Sequence, residues 1–244
     1  MDKKAIIVGA SSGIGNEVAR QLLSRGWECI LVARRQEPLE ALAKAYPGKV
    51  QFARIDITEA SAHFQLQELM EATDGLSLYF HASGCGWQNP TLDHDTEQRT
   101  IMTNALGFTS MIDAAFRHMA THGGGHIAAI TSIAGTRGLG MAPAYSASKA
   151  YGTTYLEALQ QLARLRQLPI TITDIRPGFV DTALLADGRS YPLLMSPANV
   201  ARDIIKAITK KTPVRTIDWR YRILVFFWRL IPRFVWVRLP IRNG

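Results

Sequence analysis

The chain has 244 residues, 47% of them hydrophobic, and 28 Lys+Arg stand against 20 Asp+Glu for a formal charge of +8. Length and apolar content fit one large domain with its own core and exclude a disordered chain or a disulfide-stapled miniature. The charge is unevenly placed: residues 1–209 hold nineteen basic and nineteen acidic residues, while residues 210–244 hold nine basic residues and one acid, Asp218, which argues against a generally basic nucleic-acid-coating protein.

In chain order, short β-branched runs alternate with longer helical patterns. Ala5–Val8 reads as a buried strand, followed by a helix from about Ile14 to Arg25 with Ile14, Val18 and Leu22 on one face. Cys29–Ala33 is a second strand and Leu39–Tyr46 a helix ended by Pro47-Gly48. Val50–Ile55, Leu76–Phe80, His126–Thr131 and Pro169–Ile175 read as further strands. Helices are expected at Ser61–Thr73, from about Glu97 to His122, and at Pro143–Gln167. Strands separated by helices of this length imply βαβ crossovers and a mostly parallel sheet covered on both faces. The expectation is one doubly wound α/β domain over residues 1–211, with residues 212–244 as an appendage and not an independent domain.

Cys29 and Cys85 are the only cysteines, too few for a disulfide framework or a zinc-type spacing, so a reducing, cytoplasmic setting and no metal are expected. The apolar run that starts at Ala5 stops at Ser11-Ser12, too short for a signal-peptide core, and no segment has the length of a bilayer-spanning helix.

The first strand runs into Gly9-Ala10-Ser11-Ser12-Gly13-Ile14-Gly15 and then a helix. Glycines there let the backbone turn sharply and approach a pyrophosphate, whose charge the helix N-terminus stabilises. The second strand ends in Ala33-Arg34-Arg35, with no carboxylate for ribose hydroxyls but two guanidiniums able to pair with a 2′-phosphate. Tyr145 and Lys149 stand four apart at the start of a predicted helix, so both project from one face. A neighbouring ammonium favours a phenolate, which suits a tyrosine that must exchange a proton with a carbonyl or alcohol oxygen. Ser132 ends the fifth strand, where its hydroxyl can hold the same oxygen.

The Gly-x3-Gly-x-Gly spacing, with Tyr145-Ser146-Ala147-Ser148-Lys149 and Ser132 upstream, resembles the classical branch of the short-chain dehydrogenase/reductase family from residue 3 to about 205. The resemblance implies a Rossmann-type, three-layer α/β/α fold and NADP(H) rather than NAD. It implies a homodimer or homotetramer formed through the two long helices. It also implies a catalytic set of Asn104, Ser132, Tyr145 and Lys149, in which Asn104 holds a water that relays protons to Lys149. Gly9, Ser11, Ser12, Gly13, Ile14 and Gly15 would hold the pyrophosphate, and Arg34, the better candidate, with Arg35 the 2′-phosphate. Asp56 and Ile57 would lie at the adenine, and Ala82, Ser83 and Gly84 along its ribose. Tyr145 and Lys149 would meet the nicotinamide ribose, and Pro177, Gly178, Val180 and Thr182 the carboxamide. The family's Asn-Asn-Ala-Gly is here His81-Ala82-Ser83-Gly84, so both asparagine side chains are missing, and His81 reads as a structural residue.

After Thr182, the stretch Ala183–Met195 has the length and irregularity of a mobile lid, and Leu184, Leu185, Tyr191, Leu193, Leu194 and Met195 give it apolar contacts. Trp87 and Thr136–Met141 would supply other walls, and Arg137 and Arg189 could each meet one carboxylate. A lipophilic ketone, aldehyde or alcohol is the expected substrate. The competing class is a non-catalytic NADP(H)-sensing protein that binds a membrane or a protein partner, but a sensor has no need of the complete Asn104, Ser132, Tyr145 and Lys149 set.

The tail adds a last strand at Val214–Ile217 and then an arginine-rich aromatic segment carrying three of the five tryptophans. On one helix Arg222, Arg229 and Arg233 would form a stripe, with Pro232 kinking or restarting it. The leading reading is peripheral contact of residues 216–239 with an anionic membrane surface. The alternatives are a subunit interface or a cover over the substrate mouth, and a nucleic-acid role ranks behind all three.

Overall fold

A computed structural model of the chain describes residues 3–185 and 188–241. The strands β1 (Lys4–Val8), β2 (Glu28–Ala33), β3 (Val50–Arg54), β4 (Leu76–His81), β5 (Gly125–Ile130), β6 (Ile170–Arg176) and β7 (Val214–Thr216) form one sheet in the order β3-β2-β1-β4-β5-β6-β7. Every neighbouring pair is parallel. The expected boundary after residue 211 falls just ahead of β7, which is itself part of this sheet.

Alternation within the strands separates two apolar layers. Ala5, Ile7 and Leu31 face one side with α1 (Gly13–Leu23), α2 (Glu37–Ala45) and α7 (Pro197–Thr209). Ile6, Val8 and Ile30 face the other with α3 (Ala62–Glu71), α5 (Phe108–Thr121) and α6 (Pro143–Leu165). The result is a three-layer α/β/α arrangement. At the far ends of α3 and α5, Glu71 meets His118 at 3.0 Å and His122 at 3.3 Å, tying the two helices together.

The helix α7 is not among the expected elements, although its signals are ordinary. Ser196 caps it by accepting from the Asn199 amide, Pro197 occupies its first turn, and Val200, Ile204 and Ile208 line its buried side. The continuous helix expected from Glu97 to His122 is instead α4 (His94–Ile101), a π-helical turn at Met102–Gly107, and α5. The wider turn adds a residue to the helical register and aims Asn104 at the loop after β4, where its Oδ1 accepts from the Cys85 amide at 2.9 Å and its Nδ2 donates to the Cys85 carbonyl at 2.7 Å. Tertiary contacts of one side chain and of the chain's own backbone therefore override local periodicity.

The tail is two helices. α8 (Trp219–Leu230) ends before Ile231, whose extended backbone leads through Pro232 into α9 (Arg233–Trp236). Arg233 therefore starts a separate helix, and the expected three-arginine stripe does not form on one. The inward side of α8 carries Tyr221, which is 1% exposed. Its hydroxyl accepts from the Phe179 amide at 3.2 Å and lies 2.9 Å from the Pro192 carbonyl and 3.2 Å from that of Leu193. A Cβ at Gly178 would lie only 2.3 Å from the Tyr221 ring, so only glycine lets the loop after β6 seat this close to the tail. Trp228 Nε1 donates to Thr136 Oγ1 at 2.9 Å, Trp236 Nε1 donates to the Gly138 carbonyl at 2.8 Å, and the two rings meet edge to face. Tyr221→Phe keeps the ring but leaves the part-buried Phe179 amide without its acceptor, and is expected to lower stability by about 1–3 kcal/mol in urea unfolding. A change near zero would mean that the hydroxyl does not hold the tail.

Candidate active site

The C-terminal ends of β1, β4, β5 and β6 lie along one edge of the sheet, about the point where strand order reverses at β1, which is where doubly wound sheets form a ligand crevice. On its phosphate side Gly9 takes a positive φ of 87°, and a Cβ there would lie 2.5 Å from the Ser83 amide nitrogen. The loop thus lies directly on the Ala82-Ser83-Gly84 backbone. Gly13, with φ of 56°, faces Thr182, whose Cγ2 lies 3.2 Å from where a Cβ would be. Ser12 enters α1 in an extended conformation and makes no side-chain cap, which leaves the first-turn amides of the helix for another acceptor. Arg35 Nη2 donates to the hydroxyls of Ser12 at 2.9 Å and Ser11 at 3.2 Å, and Arg34 Nη1 lies 3.8 Å from Asp56 Oδ2. The two guanidiniums therefore take different positions: Arg35 lies against the glycine loop, and Arg34 lies toward the Asp56-Ile57 side. A donor-rich helix terminus flanked by two arginines fits a phosphorylated dinucleotide.

Ser132 is the buried cap of a short 3-10 turn, Ile133–Thr136, and its Oγ accepts from the Ala134 amide at 3.1 Å. Tyr145 and Lys149 lie in the first two turns of α6, and Ser132 stands near enough to Tyr145 to act on its hydroxyl. Lys149 Nζ donates to the Ile130 carbonyl at 3.3 Å and lies 5.8 Å from the centre of the Tyr145 ring. Asn104 Nδ2 donates to Ser148 Oγ at 3.1 Å, and a Cβ at Gly84 would lie 3.2 Å from Asn104 Oδ1 and 3.3 Å from Lys149 Nζ. The four side chains expected to form a set are thus brought together, with Asn104 bridging the β4 loop to α6.

Electrostatics depart from the sequence expectation. Burial raises the Tyr145 hydroxyl above the ordinary tyrosine range, against the opposing effect of the Ser132 hydrogen bond. Burial also lowers Lys149 to about 8, with Cys85 and Asp174 opposing. At its distance from the phenol, and with its own proton weakly held, Lys149 does not offset the desolvation of Tyr145. His81 is fully buried; its Nδ1 pairs with the Tyr79 hydroxyl at 3.0 Å while its Nε2 has no hydrogen-bond partner among the described residues, and burial and the Lys149 charge lower it to about 3 and keep it neutral.

Pro177–Thr182 line the β6 side. The Pro177 carbonyl accepts from the Ile133 amide at 3.1 Å, and Val180 pairs with Met195. The lid begins as a 3-10 turn at Ala183–Leu185, and two of its expected residues, Ala186 and Asp187, lie outside the described residues. Its far end is fastened: Tyr191 packs on Phe179, Met195 is buried, and Tyr221 holds Pro192 and Leu193. Arg189 donates to the Gln88 side chain, which joins this segment to the loop after β4. Arg137 is not directed at a substrate carboxylate. It donates to the carbonyls of Arg229 at 2.7 Å and Ile231 at 2.5 Å and lies over the Trp236 ring, so its charge serves the tail.

Two contributors were not singled out from the sequence. A Cβ at Gly86 would lie 2.3 Å from the Tyr145 ring, so this glycine sets where the phenol sits. Its only signal is a second glycine two residues after Gly84. Tyr221 looks like one more aromatic of the tail, and only the fold brings it to Gly178.

A family model described as short chain dehydrogenase matches residues 3–191. An oxidoreductase of Myxococcus xanthus is 30% identical over 237 residues, covering 94% of this chain and 93% of the relative. Dehydrogenase/reductase SDR family member 7B of Danio rerio is 29% identical over 234 residues, covering 86% of this chain and 75% of the relative. Among solved structures, a short chain dehydrogenase from Burkholderia cenocepacia in complex with NADP superposes with a TM-score of 0.84 at 19% identity, covering 99% of this chain and 98% of that one. A short-chain dehydrogenase from Sphingobium yanoikuyae in complex with NADPH gives 0.80 at 18% identity, with the same coverage of 99% and 98%. With the family model matched from residue 3 to residue 191 and these features at its sheet edge, the chain belongs to the short-chain dehydrogenase family of oxidoreductases.

Proposed function

We propose that the protein transfers a hydride between NADP(H) and the carbonyl or alcohol carbon of a lipophilic substrate, with Tyr145 as general acid and base. The observation that carries this reading is the convergence of Ser132, Tyr145, Lys149 and Asn104 at the mouth of a crevice whose other end carries the uncapped α1 terminus, Arg34 and Arg35. The solved relatives that hold NADP or NADPH support the choice of cofactor.

The glycine loop from Gly9 to Gly15 would seat the pyrophosphate, Arg34 and Arg35 the 2′-phosphate, and Asp56, Ile57 and Ala82–Gly84 the adenosine. Lys149 would hold the nicotinamide ribose, and Pro177, Gly178, Val180 and Thr182 the carboxamide. The bound cofactor supplies or accepts the hydride. In reduction the Ser132 hydroxyl donates to the substrate oxygen and orients it, and Tyr145 Oη gives its proton to the oxygen as negative charge develops there. The elevated Tyr145 keeps that proton available at neutral pH, and the Lys149 ammonium stabilises the phenolate left behind. In oxidation the same proton travels in the opposite direction. Trp87, Leu184, Leu193 and Leu194, all substantially exposed around the cleft, favour an apolar substrate. Ile101, Met102, Leu106 and Tyr151 expose apolar surface on the α4–α6 side, which supports pairing of subunits through the long helices.

Tyr145→Phe is expected to lower turnover on a panel of ketones and alcohols by about 10²-fold or more with NADPH affinity retained; unchanged turnover would refute the role. Because reduction uses the protonated Lys149 and burial lowers that group to about 8, its rate should fall as pH rises through about 8. A flat profile across that range would separate the Lys149 proton from the reaction. Arg34→Ala with Arg35→Ala should weaken NADPH binding about ten- to hundredfold and leave NADH almost unchanged; equal losses for both would refute the 2′-phosphate assignment. Gly86→Ala forces the Tyr145 ring aside and should lower kcat by about tenfold or more with the fold intact by circular dichroism. Full activity in that variant would show that the ring position is not set there.

A further inference from the structure

Helix α8 has two apolar sides, and the fold uses one. At about 100° per residue, Tyr221, Val225 and Trp228 share the side turned to the protein, while Trp219, Ile223, Phe226, Phe227 and Leu230 share the opposite side. Those five are 48–64% exposed, and beyond Pro232 the surface continues with Phe234 at 65% and Val237 at 67%. Large apolar groups gathered this closely on one surface mark an interaction site.

Charge selects the occupant. Arg222 and Arg229, seven residues apart, run along one border of the apolar stripe, Arg220 lies on the other, and Arg233 and Arg238 flank the continuation. The one nearby acid, Asp218, already holds Arg220 through contacts of 2.7 to 3.1 Å, which leaves no carboxylate of the tail to meet the remaining guanidiniums. A second copy presenting the same face would set arginine against arginine, since a two-fold interface is self-complementary. A bilayer with anionic headgroups meets both halves of the pattern: aromatic and aliphatic groups enter the acyl boundary while the guanidiniums stay with the phosphates. No helix among the described residues is long and apolar enough to cross a membrane, so α8 would lie in the plane of the interface.

We propose that the outward face of α8 and α9 is a monotopic anchor for anionic bilayers that seats the mouth of the active site at the lipid surface. The inner side of the same helices forms the wall of that mouth: Tyr221 holds the Phe179 and Leu193 backbone, Trp228 holds Thr136, and Trp236 packs in the cluster that Tyr145 borders. A substrate dissolved in the membrane then reaches Tyr145 without crossing bulk water. That last clause rests on the proposed reductase chemistry, whereas membrane binding itself does not.

The test is co-sedimentation of the full chain with sucrose-loaded vesicles of phosphatidylcholine alone or mixed with phosphatidylglycerol, at low and high salt. Binding to the mixed vesicles should exceed that to phosphatidylcholine by about tenfold or more and weaken with salt. A Phe226→Glu, Phe227→Glu double variant should lose about tenfold or more of that binding while keeping wild-type melting, NADPH affinity and solution mass. Arg222→Glu with Arg229→Glu should remove the preference for phosphatidylglycerol. The proposal is overturned if the wild-type chain stays in the supernatant, if it binds both vesicles equally, or if the phenylalanine variant binds like wild type. A fall in solution mass of that variant, without vesicle binding by the wild type, would identify a subunit interface instead. None of these readouts uses turnover, so failure of the anchor and failure of the reductase assignment are separable.

Discussion

All strands of the sheet run in one direction, so their C-terminal ends emerge along a single edge with backbone groups that have no partner in the next turn of the ladder. Most of the candidate site residues are attached to that edge, and α6 and the π-helical turn bring Tyr145, Lys149 and Asn104 to it. The glycine loop leaves β1, Arg34 and Arg35 leave β2, Asp56 follows β3, Ser83 and Gly84 follow β4, Ser132 follows β5, and Pro177 to Thr182 follow β6. Because the chain crosses over between successive strands, segments far apart in sequence meet along this edge. A parallel sheet buried on both faces is the requirement from which the position of each site residue follows.

Within the crevice the decisive quantity is desolvation. A tyrosine and a lysine four residues apart on a helix read as a cation lowering a phenol, and in an open setting that reading would hold. Here both groups are taken out of water, so burial drives them apart: the phenol upward and the ammonium down to about 8. The balance between them is set by the walls. Gly86 positions the ring, Ser132 meets its hydroxyl, and the π-turn carries Asn104 to the loop beside Lys149.

The tail joins this site to the protein surface. Tyr221, Trp228 and Trp236 turn inward, and their polar atoms find backbone or hydroxyl partners, as buried amphipathic aromatics require. The wall they build holds the Pro192-Leu193 backbone and engages Arg137 through the Arg229 and Ile231 carbonyls. The sequence left membrane contact, a subunit interface and a cover over the substrate mouth as competing readings of the tail. A helix has more than one side, so a cover on the inner face leaves the outer face to a separate interaction.

Much of this was legible in the chain itself. Strand and helix alternation, the glycine loop, the Tyr145-to-Lys149 spacing and the restart at Pro232 depend on local chemistry: side-chain periodicity, φ restrictions and helix geometry act over a few residues. The break at Asn104, the contact of Gly86 with Tyr145 and of Gly178 with Tyr221, and the diversion of Arg137 are not written locally, because each depends on a partner tens of residues away. The helix α7 carries a local cap at Ser196 and apolar residues at helical spacing, so its signals are written in the chain as well. Residue type and short spacing were enough to read an α/β chain with a glycine-rich first turn, a Tyr-x3-Lys pair and a basic aromatic tail. Only the tertiary structure decided which side of the tail is buried and how far burial outweighs the lysine's charge, because both depend on the dielectric and the neighbours that distant segments create.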